Sequence, residues 1–407
     1  MHHHVYANSD KYPIVLLIKK SAFKLDEIET SYIEPLEARG INRADIIVVA
    51  LEYNDKGKAP AIFMDEFLSR LMPNLEAVSA RYVYCADANY FKKLAKQTKA
   101  VGRLGYSFKC GIKGHQTLEI TLGVNHRSLL YNPANEPDLI LSVDTLASLV
   151  NGTYEGLGIN IIKACDYPTG PQEIRAALDR LHQYPYLSAD LETGSLDFDK
   201  AGIGTMTFCS SKHEGIAFAC DYVPNPLGRD EYGRFGKLIP NLAIRAEIKR
   251  FLLAYTGRLR WHNAPYDLSI LIYELWMENL LDNKGQLEGL HHMTRSFDDT
   301  KIIAYLSTNS TAGNHLKLKE LAHAFAGNWS QDEIKDITRI PLPELLQYNL
   351  IDGLATNYVY EKHYPVLVQD AQEEIYLNLM LPSQKTIIQM ETTGMPMDKK
   401  QIYRARK

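Results

Sequence analysis

Short apolar runs alternate with stretches of helical periodicity from residue 11 to about residue 165. Residues 12–18 and 46–51 read as strands, and 65–71 and 90–96 as helical segments. This pattern predicts an α/β domain. The turn-rich run Asn151-Gly152-Thr153-Tyr154-Glu155-Gly156-Leu157-Gly158, followed by Pro168, Gly170 and Pro171, places a boundary around 165–172. Residues 1–168 are therefore expected to form an N-terminal α/β domain, with helical 173–181 leading into the next.

The second stretch opens with three candidate strands, 186–191, 203–209 and 215–222, whose connections are short enough for antiparallel neighbours. A loop rich in Pro, Gly and charge covers 224–236, then come an amphipathic helix at 242–255 and a short strand at 259–262. After Pro265, the positions of Leu268, Leu271, Ile272 and Leu275 give an apolar helical face, and further helices are predicted at 300–306, 316–325 and 343–360. Three antiparallel strands, a helix, another strand and then mostly helices is the order of a ribonuclease-H-like α/β domain, a mixed sheet with flanking helices. It is expected over residues 169–370. From about residue 373 the chain is again helical, until Thr392-Thr393-Gly394-Met395-Pro396 breaks the pattern.

Composition narrows the class. A chain of 407 residues is too long for one ordinary core. Hydrophobic residues are 45% and charged residues 23%, and no apolar run approaches the ~20 residues needed to cross a bilayer. A net charge of −4 provides no global basic field, so any nucleic-acid site must be local. Cys85, Cys110, Cys165, Cys209 and Cys220 are odd in number and never in a Cys-x-x-Cys pair, which argues against a disulfide framework or structural zinc and for a reducing cytoplasm. The start, Met1-His2-His3-His4, lacks the features of a secretory signal, and its histidines are left out of metal reasoning.

Three clusters carry candidate chemistry. Asp190 and Glu192 sit two apart on a predicted strand, so both carboxylates project from one face. Two like charges there are unfavourable unless solvated or neutralised, and a divalent cation neutralises them well; alone, the pair also fits a solvated strand face. In Trp261-His262-Asn263-Ala264-Pro265-Tyr266-Asp267, a strand ends, a Pro-containing turn follows, and Asp267 falls in the first turn of a helix, where a plain helix-start aspartate is an equal reading. His262 reads as an ordinary strand histidine. Tyr348 and Asp352, four apart on a late helix, share one face, as would a buried hydrogen-bonded pair with no chemical role.

Taken together, Asp-x-Glu-Thr on a first strand, His-Asn-x-x-x-Asp at a strand-to-helix junction and Tyr-x-x-x-Asp on a late helix resemble the three motifs of the DEDD exonuclease superfamily, in its tyrosine-containing branch. The resemblance spans roughly residues 185–365. The segment from Ser296 to Leu306, followed by Leu316-Lys317-Leu318-Lys319-Glu320-Leu321-Ala322, is similar to the connection in the 3′→5′ proofreading domains of family A, or DNA polymerase I-like, polymerases. The tail from Leu381 to Asp398 resembles the stretch that joins such a domain to the polymerase domain, which makes 371–407 the expected start of that domain. The family's polymerase motifs lie downstream of this stretch, so these residues are not expected to polymerise. Tyr82–Phe91 and Tyr131-Asn132-Pro133 weakly resemble N-terminal extensions of bacteriophage members, and no Gly-rich phosphate loop gives that domain a chemistry.

The resemblance implies two-metal hydrolysis of the 3′-terminal phosphodiester of DNA, with two divalent cations, Mg2+ or Mn2+, about 4 Å apart. It implies that Asp190 bridges both ions, that Glu192 and Asp352 complete the one on the nucleophile side, and that Asp267 holds the other through water. Tyr348 is expected to orient the attacking water, since a phenol of pKa near 10 is a poor base. Thr193 and Asn263 are candidate substrate contacts, with a structural hydrogen bond as an equal reading for each. Arg258, Arg260, Lys317 and Lys319 are weighed as phosphate contacts against a solvated charged face. The expected partners are a single-stranded or frayed 3′ end of DNA and a polymerase domain or subunit, in the cytoplasm, which for a bacteriophage protein is the host's. The competing readings are a free-standing exoribonuclease of the ribonuclease D type and a non-catalytic DNA-positioning module of a replisome.

Overall fold

The computed structural model describes residues 2–308, 315–329, 334, 336–395 and 404, so Pro396 to Asp398 of the tail lie outside the described residues. The chain separates into two units, Met1–Ile159 and a second that begins at Asn160.

The first unit holds strands His3–Val5 (β1), Ile14–Lys19 (β2), Ile46–Leu51 (β3), Tyr82–Cys85 (β4), Ser107–Lys109 (β5) and Glu119–Leu122 (β6) in the order β1-β3-β2-β4-β6-β5. The four inner strands are parallel, and β1 and β5 close the edges antiparallel. All six residues of β3 and the first five of β2 are buried, as expected of strands covered on both faces. Helices Ala61–Ala77 (α1) and Ala88–Leu94 (α2) cover one face through Phe67, Leu71 and Phe91, packed with Val15, Leu17 and Val49. Helix Glu136–Val150 (α3) covers the other through Leu139, Val143 and Leu146, packed with Leu16, Val48 and Tyr84. The unit is a doubly wound α/β sheet.

The second unit is built on strands Ala164–Asp166 (β7), Tyr186–Glu192 (β8), Thr205–Cys209 (β9) and Glu214–Ala219 (β10), with Tyr222–Pro224 (β11) and Gly236–Leu238 (β12) as a separate hairpin. Arg258–Trp261 (β13) and Phe297–Asp299 (β14) complete the main sheet, in the order β14-β13-β8-β9-β10-β7. β8, β9 and β10 form an antiparallel meander, while β13 runs parallel to β8 and β14 parallel to β13. This is the ribonuclease-H-like mixed sheet that the strand order predicts. Sequence pattern alone did not bring out β7, β14 or the β11–β12 hairpin, because three residues are too few to show alternation.

Alternation along β8 sets the layers. Leu187, Ala189 and Leu191 point into the main core, with Phe208, Phe251 and Trp261. Helices Gly170–Leu181 (α4), Leu242–Ala254 (α5), Ala264–Trp276 (α6) and Asn283–Met293 (α7) close that face. Ser188, Asp190 and Glu192 occupy the other side of the pleat. That side is covered by a long helix, Leu342–Gln369 (α9), which follows Thr300–Ser307 (α8) and packs across β8, β9 and β10. The Ser188 hydroxyl donates to the Gly353 carbonyl at 2.6 Å.

Gly353 decides how near α9 comes. A Cβ there would lie 2.7 Å from Cys209 Sγ and 2.9 Å from Thr207 Cγ2 on β9, closer than packed atoms tolerate. The tail helix Leu381–Thr393 (α10) packs against α6 and α7, where the buried Gln286 amide donates to the Gln389 carbonyl and to the Thr392 and Thr393 hydroxyls. Just before α10, the Tyr376 hydroxyl donates to Asp298 and accepts from the Asp299 N–H. Among the described residues, no helix is long and apolar enough to cross a membrane.

Gly353→Ala is expected to destabilise the protein by about 1–3 kcal/mol through overpacking. Cys209→Ala should relieve part of this, so the double variant should cost less than the sum of the singles in a denaturant titration. Strict additivity would show that this contact does not set the helix position.

Candidate active site

Three elements bring the acids together. Asp190 and Glu192 stand on β8, opposite Thr207 and Thr205 of β9, and Asp352 reaches them from α9 where Gly353 lets the helix close on the sheet. One oxygen from each of Asp190, Glu192 and Asp352 can be chosen so that all lie within 4.8 Å of one another. Asp267 enters from the first turn of α6, as its position in the sequence predicts. It stands outside that three-carboxylate group, yet its charge acts on both Asp190 and Glu192. Asp190 and Glu192 are partly exposed, and Asp267 and Asp352 are buried, so the cluster opens to solvent on the β8 side.

The junction before Asp267 is held by Asp299 at the end of β14. Its carboxylate accepts the N–H groups of Asn263 (3.0 Å), Ala264 (3.1 Å) and Lys301 (2.9 Å). Asn263 makes the turn in the left-handed region, at φ 68°, and Pro265 occupies the first turn of α6, where its missing N–H costs nothing. The Asn263 side chain accepts from Lys301 Nζ at 3.0 Å. Thr193 shares a hydrogen bond with the Tyr266 hydroxyl, which also donates to the Ser195 carbonyl. His262 is a strut between Thr300 Oγ1 (2.9 Å) and the Leu316 carbonyl (3.0 Å), and burial lowers its pKa to about 4.

Burial is the first cause that pushes all four acids toward their neutral forms, and neighbouring carboxylates add to it for Asp190, Glu192 and Asp267. Asp190, Glu192 and Asp267 are raised well above their ordinary values, and Asp352 to about 7. Opposing this are the Lys319 charge on Glu192 and Asp352, the indole of Trp329 donating to Asp352 at 2.9 Å, and the Asn349 amide donating to Asp190 at 2.8 Å. Backbone N–H groups, including that of Leu191, act likewise on Asp267. Tyr348 stands one helical turn from Asp352, whose charge acts on its phenol, and the Lys319 ammonium lies 5.0 Å from its ring. Its phenol is pushed far up, by burial first and then by Asp352, Glu192 and Asp190, so it stays protonated. A donor set made only of oxygen, with more negative charge than Lys319 offsets, suits Mg2+ or Mn2+ rather than a softer metal.

Two of the four basic residues weighed as phosphate contacts are committed to the fold. Arg260 is buried between the rings of Tyr186 and Tyr360, 3.7 and 3.6 Å from their centroids, and donates to Asn357. Arg258 pairs with Asp298 at 2.6 Å. Sequence reasoning gave no role to Asn349, Trp329 or Asp299. Asn349 had a signal in hindsight, a polar residue on the apolar face of a helix, whereas nothing local marks Trp329.

No protein-family model and no curated protein matches the sequence. Among solved structures it is similar to Brucella melitensis NrnC with bound Mg2+, at 15% identity over 56% of this chain and 90% of that one, TM-score 0.32. It is also similar to the POL domain of Pol1 from M. smegmatis in complex with DNA primer-template and dNTP, at 15% identity over 60% of this chain and 34% of that one, TM-score 0.37. A third is RNase D of Escherichia coli, an exoribonuclease involved in structured RNA processing, at 14% identity over 57% of this chain and 51% of that one, TM-score 0.36. Likeness at this level leaves function to be argued from the residues themselves.

Acids raised on folding make the folded protein bind more protons than the unfolded chain. The stability that Asp352 contributes is thus present below pH 3.8 and is lost as pH rises toward about 7. In chelator, the melting temperature should fall across that window, and Asp352→Asn should flatten the fall and raise the melting temperature at pH 8 by at least about 2 °C. A parallel pH profile in that variant would contradict the electrostatic account.

Proposed function

We propose that this protein is a 3′→5′ exonuclease that removes nucleotides from DNA ends, as the proofreading portion of a family A polymerase. The observation that carries the reading is the convergence of Asp190, Glu192 and Asp352 within 4.8 Å, with the charge of Asp267 acting on Asp190 and Glu192 and Tyr348 one helical turn from Asp352. The motif order along the chain and the similarity of the 296–322 connection and the tail to polymerase proofreading segments support DNA as the substrate.

Asp190, Glu192 and Asp352 would hold a divalent cation, and Asp267 would complete the site for a second. Bound divalent cations supply positive charge against a phosphodiester and lower the pKa of water. The chain's own groups do the rest. Tyr348, protonated at neutral pH, serves as a hydrogen-bond donor that orients water, not as a base. Lys319 offsets part of the acid charge on Glu192 and Asp352. Thr193 and Asn263 flank the site as candidate substrate contacts, although each also holds a structural hydrogen bond.

Purified protein with Mg2+ or Mn2+ is expected to shorten 5′-labelled single-stranded DNA from its 3′ end, one nucleotide at a time. Asp190→Ala should reduce the rate by about 10³-fold or more, and Tyr348→Phe by roughly 10²-fold. Faster digestion of matched RNA would move the substrate class to RNA. Full activity in Asp190→Ala would place the chemistry elsewhere.

A further inference from the structure

We infer that Asn349 is a positioning residue of the acid cluster: tethered by Thr205, its amide holds the Asp190 carboxylate in the orientation that receives a divalent cation. The inference rests on the nuclease reading above and adds to it a residue that the acid motifs do not include.

Asn349 lies on α9 between Tyr348 and Asp352 and is fully buried. A buried primary amide is costly unless both of its ends are paired. Here Nδ2 donates to Asp190 Oδ2 at 2.8 Å, and Oδ1 accepts from Thr205 Oγ1 at 3.1 Å. The sense of the amide follows from its partners. With a cation bound, Asp190 is ionised and can only accept, so the NH2 end faces it, and the Thr205 hydroxyl can supply the proton that the carbonyl end needs.

Thr205 is itself buried and fixed in β9 directly opposite Glu192. The chain Thr205–Asn349–Asp190 therefore links the neighbouring strand, the helix and the metal-facing acid through hydrogen bonds with defined direction. One oxygen of Asp190 is engaged, and rotation of its carboxylate is restrained. Partners of this kind behind a metal ligand typically affect metal affinity by about 10–100-fold. A residue that merely fastened α9 to the sheet would affect stability and leave metal affinity alone, so the two roles separate experimentally.

The test uses the full chain and two near-isosteric changes, Asn349→Leu, which removes the amide, and Thr205→Val, which removes its tether. Mn2+ binding is measured by isothermal titration calorimetry, alongside the Mg2+ dependence of single-stranded DNA degradation. Asn349→Leu should raise the Mn2+ dissociation constant about 10–100-fold. The Mg2+ concentration for half-maximal rate should rise in parallel, much of the rate should return at saturating Mn2+, and KM for DNA should stay near wild type. Thr205→Val should shift the same quantities in the same direction by a smaller factor, and the double variant should bind no more weakly than Asn349→Leu. Wild-type Mn2+ affinity in a folded Asn349→Leu protein would overturn the inference. If that variant does not fold, wild-type affinity in Thr205→Val would do so. A wild-type chain that neither binds Mn2+ nor cuts DNA would count against the nuclease reading itself, a result distinct from variants that match an active wild type.

Discussion

Like charge held in a small volume is the constraint on which the second unit turns. Asp190, Glu192, Asp267 and Asp352 come from β8, α6 and α9, and left to themselves they would move apart or take up protons. The fold prevents the first. β8 lies inside the sheet, so its acids cannot swing away, and the approach of α9 at Gly353 presses Asp352 onto them. Asp299 fixes the turn that aims Asp267. The same strain of charge that costs stability in the metal-free protein is what makes the site receptive to a divalent cation.

Helix α9 concentrates these roles within a few residues. Tyr348 supplies a protonated hydroxyl, Asn349 restrains an acid on another element, Asp352 is itself an acid, and Gly353 provides the fit. One turn further on, Asn357 receives the Arg260 guanidinium clamped between two tyrosine rings, tying the helix to β13. A displacement of α9 would therefore disturb the acids, the Tyr348 hydroxyl and the hydrogen bond to Asp190 together.

How much of this was legible in the sequence depended on the range of the interaction. The strands of the meander and the helical faces showed themselves through local period: residues 186–191 fall on β8, and β9 occupies 205–209 of the predicted 203–209. The placement of Asp267 in a first helical turn and of Tyr348 beside Asp352 followed from spacing alone. Strands of three residues carry no period, and β14 was visible only as part of a connecting segment. Contacts made through space were hidden as well. Arg260 looked like a surface cation because charge is what a sequence displays, whereas its partners Tyr186 and Tyr360 are far from it along the chain.

The indole of Trp329 gives the molecule a property independent of the proposed chemistry. The chain has three tryptophans. Trp261 is fully buried, and Trp276 is buried with the Lys249 ammonium over its ring and His292 stacked on it, and neither indole N–H meets a hydrogen-bond partner among the described residues. Trp329 instead donates to a carboxylate oxygen of Asp352. Whatever changes the charge of that carboxylate changes the electrostatic field across the Trp329 indole, whereas neither of the other two indole N–H groups is bonded to an acid of the cluster. The protein thus contains its own optical gauge, which reports the state of its acids without any label.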